Sequence, residues 1–170
     1  MKTKTCEDLE RSAVRGQPLF RLAYSDADFS GAKLRTARLP GINFSRCKLD
    51  FADLTDAYLP RAVFDTCVIT DAQFSGIYLR GARFVKCKIK NVDFHEANLA
   101  EAVLEECEIT GSDISYAEFS EATFKGTKLK NCKAFLADFS NVLPQWLTGL
   151  RDEIKDALLP QGLAHAKKKA

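Results

Sequence analysis

The chain has 170 residues, of which 46% are hydrophobic and 28% are charged, a balance typical of one soluble globular domain and not of a disordered polypeptide. Its formal net charge is only +2, and the three lysines near its end are too few to indicate a nucleic-acid partner. No apolar run reaches the roughly 18 residues of a membrane span, and residues 1–8 lack the apolar core of a signal peptide, so we expect a cytoplasmic protein that does not bind membranes.

Residues 1–23 are predicted to form an N-terminal cap, because they do not follow the repeat that begins at residue 24. Thr5 can cap a short helix that ends near Gly16, and Leu9 and Ala13 share one side of it. The first coil of a repeat structure must not expose its apolar top and unpaired strand edges to another copy. We therefore expect this segment to cover that end.

Residues 24–142 carry a repeat of five residues. In steps of five from Phe29 to Phe139, the central residue is Phe, Leu or Ile at 22 of 23 positions, and Ala134 is the exception. Two residues before each centre stands a compact side chain, which is Ala at 13 positions and Cys at five. A helix needs apolar residues at spacings of three and four, and a half-buried strand needs alternation, so neither explains this period.

Two inward side chains separated by a polar one indicate a very short strand, and the next two residues turn a corner. Four such units return the chain above its start after twenty residues, so successive coils stack at about the inter-strand distance, roughly 4.8 Å. The repeat region then forms a four-sided rod of about six coils. Six glycines lie two residues after a centre, where a permissive backbone eases the corner.

Residues 27–31 (ADFSG), 52–56 (ADLTD) and 97–99 (ANL) resemble the A(D/N)LXX motif of the pentapeptide repeat family. The resemblance covers about two-thirds of the chain. It implies an all-β fold, a right-handed quadrilateral β-helix, followed here by a C-terminal helix. It implies little about activity, because a fold does not specify a function.

Every twentieth residue shares a face of this rod. Phe44, Phe64, Phe84, Leu104 and Phe124 are predicted to stack on one face, and Cys47, Cys67, Cys87 and Cys107 occupy the compact slot of another. A column presents its thiols in a line, whereas zinc needs ligands that converge tetrahedrally. We interpret the cysteines as apolar fillers and expect no metal, cofactor or disulfide.

Residues 91–123 form an acidic belt with nine acidic residues and no Lys or Arg. The belt could attract a basic partner. Alternatively, neighbouring coils neutralise it, because Glu105 stacks against Lys125, Glu106 over Lys86, and Glu108 between two lysines.

Residues 143–160 predict a C-terminal amphipathic helix, and residues 161–170 a disordered basic tail. The apolar stripe of the helix consists of Trp146, Leu147, Leu150, Ile154 and Leu158. Phe135 and Leu136 follow the small centre Ala134 at corner positions, so the last coil should expose apolar surface. We expect the stripe to cover it within one chain or to pair with a second copy in a homodimer.

A candidate protein-binding surface lies on the face whose centres are Leu39, Leu59, Leu79 and Leu99. It comprises Arg38, Pro40, Tyr58, Pro60, Arg61, Tyr78 and Arg80. Tyr and Arg dominate the energetics of many protein interfaces because they combine apolar area with a polar group. The alternative is a tyrosine ladder that shields the strands, with arginines lying over the rings.

No histidine has a Cys or Ser partner in this register, and a filled rod offers no cleft, so we do not expect an enzyme. The leading hypothesis is a protein-binding scaffold or adaptor. A resemblance to pentapeptide proteins encoded with bacterial type VI secretion systems implies an adaptor role there. The quinolone-resistance pentapeptide proteins imply a second hypothesis, a DNA mimic that modulates a type II topoisomerase, although here the acids encircle the rod. A structural homodimer is the third.

Overall fold

The structure, a computed structural model, describes residues 6–147 and residue 157. One helix, α1 (Cys6–Val14), precedes the strands and a short helix, α2 (Pro144–Leu147), follows them. The strands are β1 (Ala23–Ser25), β2 (Asn43–Ser45), β3 (Val63–Asp65), β4 (Val68–Thr70), β5 (Arg83–Val85), β6 (Lys88–Lys90), β7 (Val103–Glu105), β8 (Glu108–Thr110) and β9 (Lys128–Lys130). No helix within the described ranges is long and apolar enough to cross a bilayer.

The strands form two parallel sheets, one ordered β1-β2-β3-β5-β7 and the other β4-β6-β8-β9. In neighbouring strands each residue pairs with the one twenty positions away in the chain, as Phe64 does with Phe84. On the two remaining faces the same register appears as isolated bridges, among them the bridge between Tyr58 and Tyr78. The predicted four-sided β-helix is therefore confirmed. Tyr24 and Phe124 lie one hundred positions apart, or five turns of twenty residues.

The core consists of the predicted inward columns. Phe44, Phe64, Phe74 and Phe84 are completely buried. The rings of Phe64 and Phe84 stack with 4.6 Å between centroids and an interplanar angle of 2°. The register places equivalent residues of successive coils above one another but does not fix the ring orientation, since Phe74 and Phe94, also twenty residues apart, meet edge-on at 75°.

The cysteine column does more than fill space. All six cysteines are free thiols. The Sγ atom of Cys67 donates to the carbonyl of Phe44 at 3.3 Å, and that of Cys87 donates to the carbonyl of Phe64 at 3.2 Å. Thr127 takes the next slot of the column, and its hydroxyl donates to the carbonyl of Leu104 at 2.9 Å. These side chains are thus compact hydrogen-bond donors as well as apolar fillers.

The corners have one backbone conformation. From Arg21 to Asn141 every fifth residue has a positive φ, between 50° and 69°. For residues other than glycine this left-handed conformation costs roughly 1–2 kcal/mol each. Hydrogen bonds between coils offset that cost, since the corner amide of Gly31 donates to the carbonyl of Asp50 at 2.7 Å and that of Asp26 to Ser45 at 2.9 Å.

Helix α1 lies over the start of the rod. Leu9 and Ala13, predicted to share one side, are both buried. Glu10 contributes a specific contact, because its carboxylate accepts a hydrogen bond from the backbone amide of Lys33 at 2.9 Å. An edge amide of the first coil is thereby satisfied instead of remaining open to another strand.

Candidate interaction surface

The predicted protein-binding residues lie along one corner of the rod, and six of the seven line a single groove of about 450 Å³. Arg38 stands outside it. The groove, which we call the Tyr–Arg groove, adds five residues to those six: Phe20, Arg21, Gly41, Gly81 and Glu101. The expectation that the rod has no concave surface is therefore wrong at this corner. At this corner successive coils alternate between arginine and glycine, from Arg21 through Gly41 and Arg61 to Gly81.

The wall of the groove is a stack of aromatic rings. Tyr58 and Tyr78 lie one coil apart with 5.1 Å between ring centroids and an interplanar angle of 17°. Below them the guanidinium carbon of Arg38 lies 5.6 Å from the centre of the Tyr58 ring, a cation–π contact. The predicted ladder geometry is therefore present. Tyr58 nevertheless keeps 41% of its surface exposed, so the ladder leaves aromatic area available.

Two glycines shape the groove by making room for arginines. Gly41 and Gly81 both have positive φ, at 66° and 67°. A Cβ atom on Gly41 would stand 3.6 Å from Cγ of Arg21, and one on Gly81 would stand 3.5 Å from Cγ of Arg61. Each arginine stem therefore lies across the glycine of the next coil, and its guanidinium stays at the surface.

The groove carries excess positive charge. At one end Arg80 donates to the carboxylate of Glu101 at 2.5 Å, and this bond raises the pKa of the Arg80 guanidinium further above its usual value. Within the part of the chain that the structure describes, Arg21, Arg38 and Arg61 form no ion pair. Three cationic groups thus remain uncompensated around an aromatic wall.

Sequence reasoning missed Phe20, Arg21 and Glu101, although the period of twenty could have found them. Phe20 stands twenty residues before Pro40, Arg21 twenty before Gly41, and Glu101 twenty after Gly81. The first two precede the first centre of the counted repeat and were assigned to the cap. Phe20 is 67% exposed, which makes it one of the most exposed large apolar side chains of the described residues.

The acidic belt of residues 91–123 is largely neutralised by lysines and arginines of neighbouring coils, which is the alternative to a site for a basic partner. Lys125 Nζ lies 2.7 Å from Glu105 Oε1, and Lys86 Nζ lies 3.9 Å from Glu106 Oε2. The hydrogen bond from Lys125 lowers the pKa of Glu105 below its usual value. Glu108 pairs in register with lysines on both sides and also contacts Lys130 Nζ at 3.3 Å.

The predicted C-terminal stripe falls mostly outside the described residues. Trp146 is partly buried and packs against the core, and Leu147 ends α2. Leu150, Ile154 and Leu158 lie outside the described ranges. Phe135 and Leu136 are 53% and 40% exposed, and Phe135 contacts the ring of Tyr116 edge-on. Whether the stripe covers this patch or pairs with a second copy stays a prediction.

Residues 6–147 and 157 contain no group of three His, Cys, Asp or Glu side chains that could hold a metal ion. His95 contacts Tyr116 edge-on and lies 3.6 Å from Glu96, on a different side of the rod from the cysteine column. The Tyr–Arg groove is therefore the arrangement on the described surface that combines concavity, exposed aromatic area and uncompensated charge.

Comparison with known proteins identifies a family and structures of the same fold. A family model described as "Pentapeptide repeat region" matches residues 18–94 and again 58–134. No curated protein matches the chain.

Two solved structures show the same fold. The pentapeptide repeat protein Rfr23 from the cyanobacterium Cyanothece 51142 is 18% identical with a TM-score of 0.53, and the match covers 70% of this chain and 88% of that one. The plasmid-mediated fluoroquinolone resistance protein QnrB1 is 18% identical with a TM-score of 0.52, covering 88% of this chain and 85% of that one. At such identities the likeness shows the fold alone.

Proposed function

The chain belongs to the pentapeptide repeat family, and from that premise we propose that it is a non-enzymatic scaffold that binds another protein through the Tyr–Arg groove. One observation carries the proposal: aromatic rings and arginines without ionic partners meet in a concave site on the surface of the rod. Residues of these types, partly desolvated in a depression, supply most of the binding energy at many protein interfaces.

The unpaired arginines support this assignment because they stand next to exposed aromatic rings. Some cations elsewhere pair across coils, as Arg46 does with Asp26 at 2.6 Å and Lys125 with Glu105 at 2.7 Å, and others, such as Lys48 and Lys90, form no ion pair with the described residues. Around the groove only Arg80 is paired in this way. The exposed ring of Phe20 and the guanidinium of Arg61 line the same groove, so it offers apolar area and positive charge together.

The ion pairs of the acidic belt count against DNA mimicry. A DNA mimic must present a continuous track of negative charge to a basic partner. Here Glu105, Glu106 and Glu108 each lie beside a lysine of a neighbouring coil. We therefore do not extend the second hypothesis to this chain.

The test is capture of the partner by variants of the groove. Tyr58→Ser with Tyr78→Ser removes the aromatic wall, and Arg38→Glu with Arg61→Glu reverses two unpaired charges. Arg15→Glu with Lys90→Glu makes the same charge change at two exposed cations outside the groove that form no ion pair with the described residues, and is the matched control. We expect the wild type and the control to capture the same protein from the native cell, and both groove variants to lose it with an unchanged melting temperature.

Retention of that protein by both groove variants would refute the proposal. Identification of the captured protein by mass spectrometry also tests the finer hypothesis of an adaptor in a bacterial type VI secretion system. That hypothesis fails if the protein is not a component of such a system.

A further inference from the structure

We propose that the Tyr–Arg groove binds an acidic segment in the polyproline II conformation, with two carboxylates three residues apart. The inference rests on the proposed function and names the chemistry of the partner. It follows from three features of the groove: its hydrogen bonding, its charge and its spacing.

The strands beside the groove have no free backbone edge. The amide of Tyr78 donates to the carbonyl of Ala57 at 2.9 Å, and the carbonyl of Tyr78 accepts from the amide of Leu59 at 2.8 Å. Tyr58 is bonded in the same way to Ala37 and Leu39. Because the preceding coil already uses these groups, a partner cannot add a β-strand here. Recognition must come from side chains, which suits a polyproline II segment, since that conformation needs no backbone pairing.

The unpaired charges select an acidic partner. Arg21 and Arg61 line the groove, and Arg38 stands at its edge over the Tyr58 ring. Glu101 at the opposite end is already bound by Arg80. A segment with carboxylates toward Arg21 and Arg61 gains charge-assisted hydrogen bonds, whereas a basic segment meets only repulsion along most of the groove.

The spacing of the arginines selects the conformation. Arg21 and Arg61 occupy the same corner position two coils apart, with Gly41 between them, which corresponds to about 9.6 Å at the usual inter-strand distance. A polyproline II helix rises about 3.1 Å per residue with three residues per turn, so side chains three residues apart point the same way about 9.3 Å apart. Residues on one side of an extended strand recur about every 6.7 Å, which does not match.

The aromatic wall provides the apolar part of the site. Tyr58 and Tyr78 present rings one coil apart, beside Pro40 and Pro60. Aromatic-lined grooves bind polyproline II segments because proline rings pack on aromatic faces and the helix is preformed. From Arg21 to Glu101 the groove spans four coils, roughly 19 Å, which is about the length of six residues in this conformation.

Fluorescence anisotropy with labelled peptides and the full chain tests the proposal. The peptide DPPDPP carries carboxylates three residues apart. DPDPPP and DPPPDP have the same composition with spacings of two and four, and KPPKPP reverses the charge. We expect DPPDPP to bind about ten-fold or more tightly than the other three. Added salt should weaken binding. Arg61→Glu should weaken it about ten-fold or more, while Lys90→Glu, the same charge change at an exposed lysine outside the groove, leaves it unchanged.

Equal affinity for the spacing variants, no effect of Arg61→Glu, or tighter binding of a helical peptide with acids seven residues apart would each overturn the inference. So would a sedimentation shift of the free protein on Arg61→Glu, because the groove would then hold a second copy. These failures are distinguishable from failure of the proposed function. If DPPDPP does not bind while groove variants still lose the native partner, the scaffold stands and the conformation assigned to its partner is wrong.

Discussion

Replacing Phe84 by alanine tests how the rod is held together. Phe84 is completely buried in a middle coil, and its ring stacks on Phe64 with 4.6 Å between centroids. Phe51→Ala is the matched control, because Phe51 lies at a corner with 65% of its surface exposed. Both changes remove the same atoms, and alanine at Phe51 keeps a Cβ at the same positive φ of 59°.

The expected magnitude follows from the burial of Phe84. Burying a Phe side chain contributes about 1.5–3 kcal/mol relative to exposure. A stacked aromatic pair adds about 0.5–1.5 kcal/mol. The cavity left behind brings the loss to the range seen for buried Phe→Ala, about 3–5 kcal/mol of unfolding free energy. Phe51→Ala should change stability by no more than about 0.5 kcal/mol, as at other exposed sites.

Urea unfolding followed by circular dichroism measures both variants. The single tryptophan, Trp146, reports only on the end of the rod, so its fluorescence is the wrong probe. A loss below about 1 kcal/mol at Phe84, or equal losses at Phe84 and Phe51, would refute the reasoning that the ring column is the main apolar contribution of its coil.

Two further predictions concern buried groups. The hydroxyl of Tyr24 is buried and has no hydrogen-bond partner within the described ranges, so Tyr24→Phe should raise the unfolding free energy by about 1 kcal/mol or more. Burial, then the charge of Asp8, raises the pKa of Tyr24 to about 12, above its usual value of 10.0. Above pH 10 the unfolded state loses the Tyr24 proton before the folded state does, so the wild type loses stability as the pH rises from 10 to 12. The difference in melting temperature between Tyr24→Phe and the wild type should therefore be larger at pH 11 than at pH 7. An equal difference at the two pH values would contradict this. Cys47, Cys67, Cys87 and Cys107 are buried, while the other two cysteines are half-buried, so at most two of six thiols should react with Ellman's reagent in the native protein. Reaction of more than two without denaturant would show that the column opens.

The period of five allows the core to be predicted residue by residue, because each inward side chain is fixed by its position in the repeat. The same register predicts contacts on the surface. The stacking of Tyr58 on Tyr78 and the pairing of Glu105 with Lys125 both follow from a separation of twenty residues. Contacts between stacked coils of a solenoid can therefore be predicted from the number of residues per coil.

The groove could not be derived in the same way, because it depends on side-chain size at the corners. Gly41 and Gly81 were predicted to ease a turn, but many other corners adopt the same positive φ without glycine, as Arg61 does. What sets these two glycines apart is the arginine stem that lies across each of them. Phe20 also lines the groove, but it belongs to a segment whose sequence does not show the five-residue repeat.

Four repeats make one coil, and this ratio sets different length constraints on the inside and the outside of the rod. Insertion or loss of one repeat keeps every later Phe, Leu or Ile pointing inward but turns each later outward side chain by one face. Between Tyr58 and Tyr78, such a change would carry the second tyrosine to a neighbouring side and separate Arg61 from Gly81. The core of this protein thus tolerates insertions and deletions in multiples of five residues, whereas its binding groove keeps its side chains together only if the change is a multiple of twenty residues.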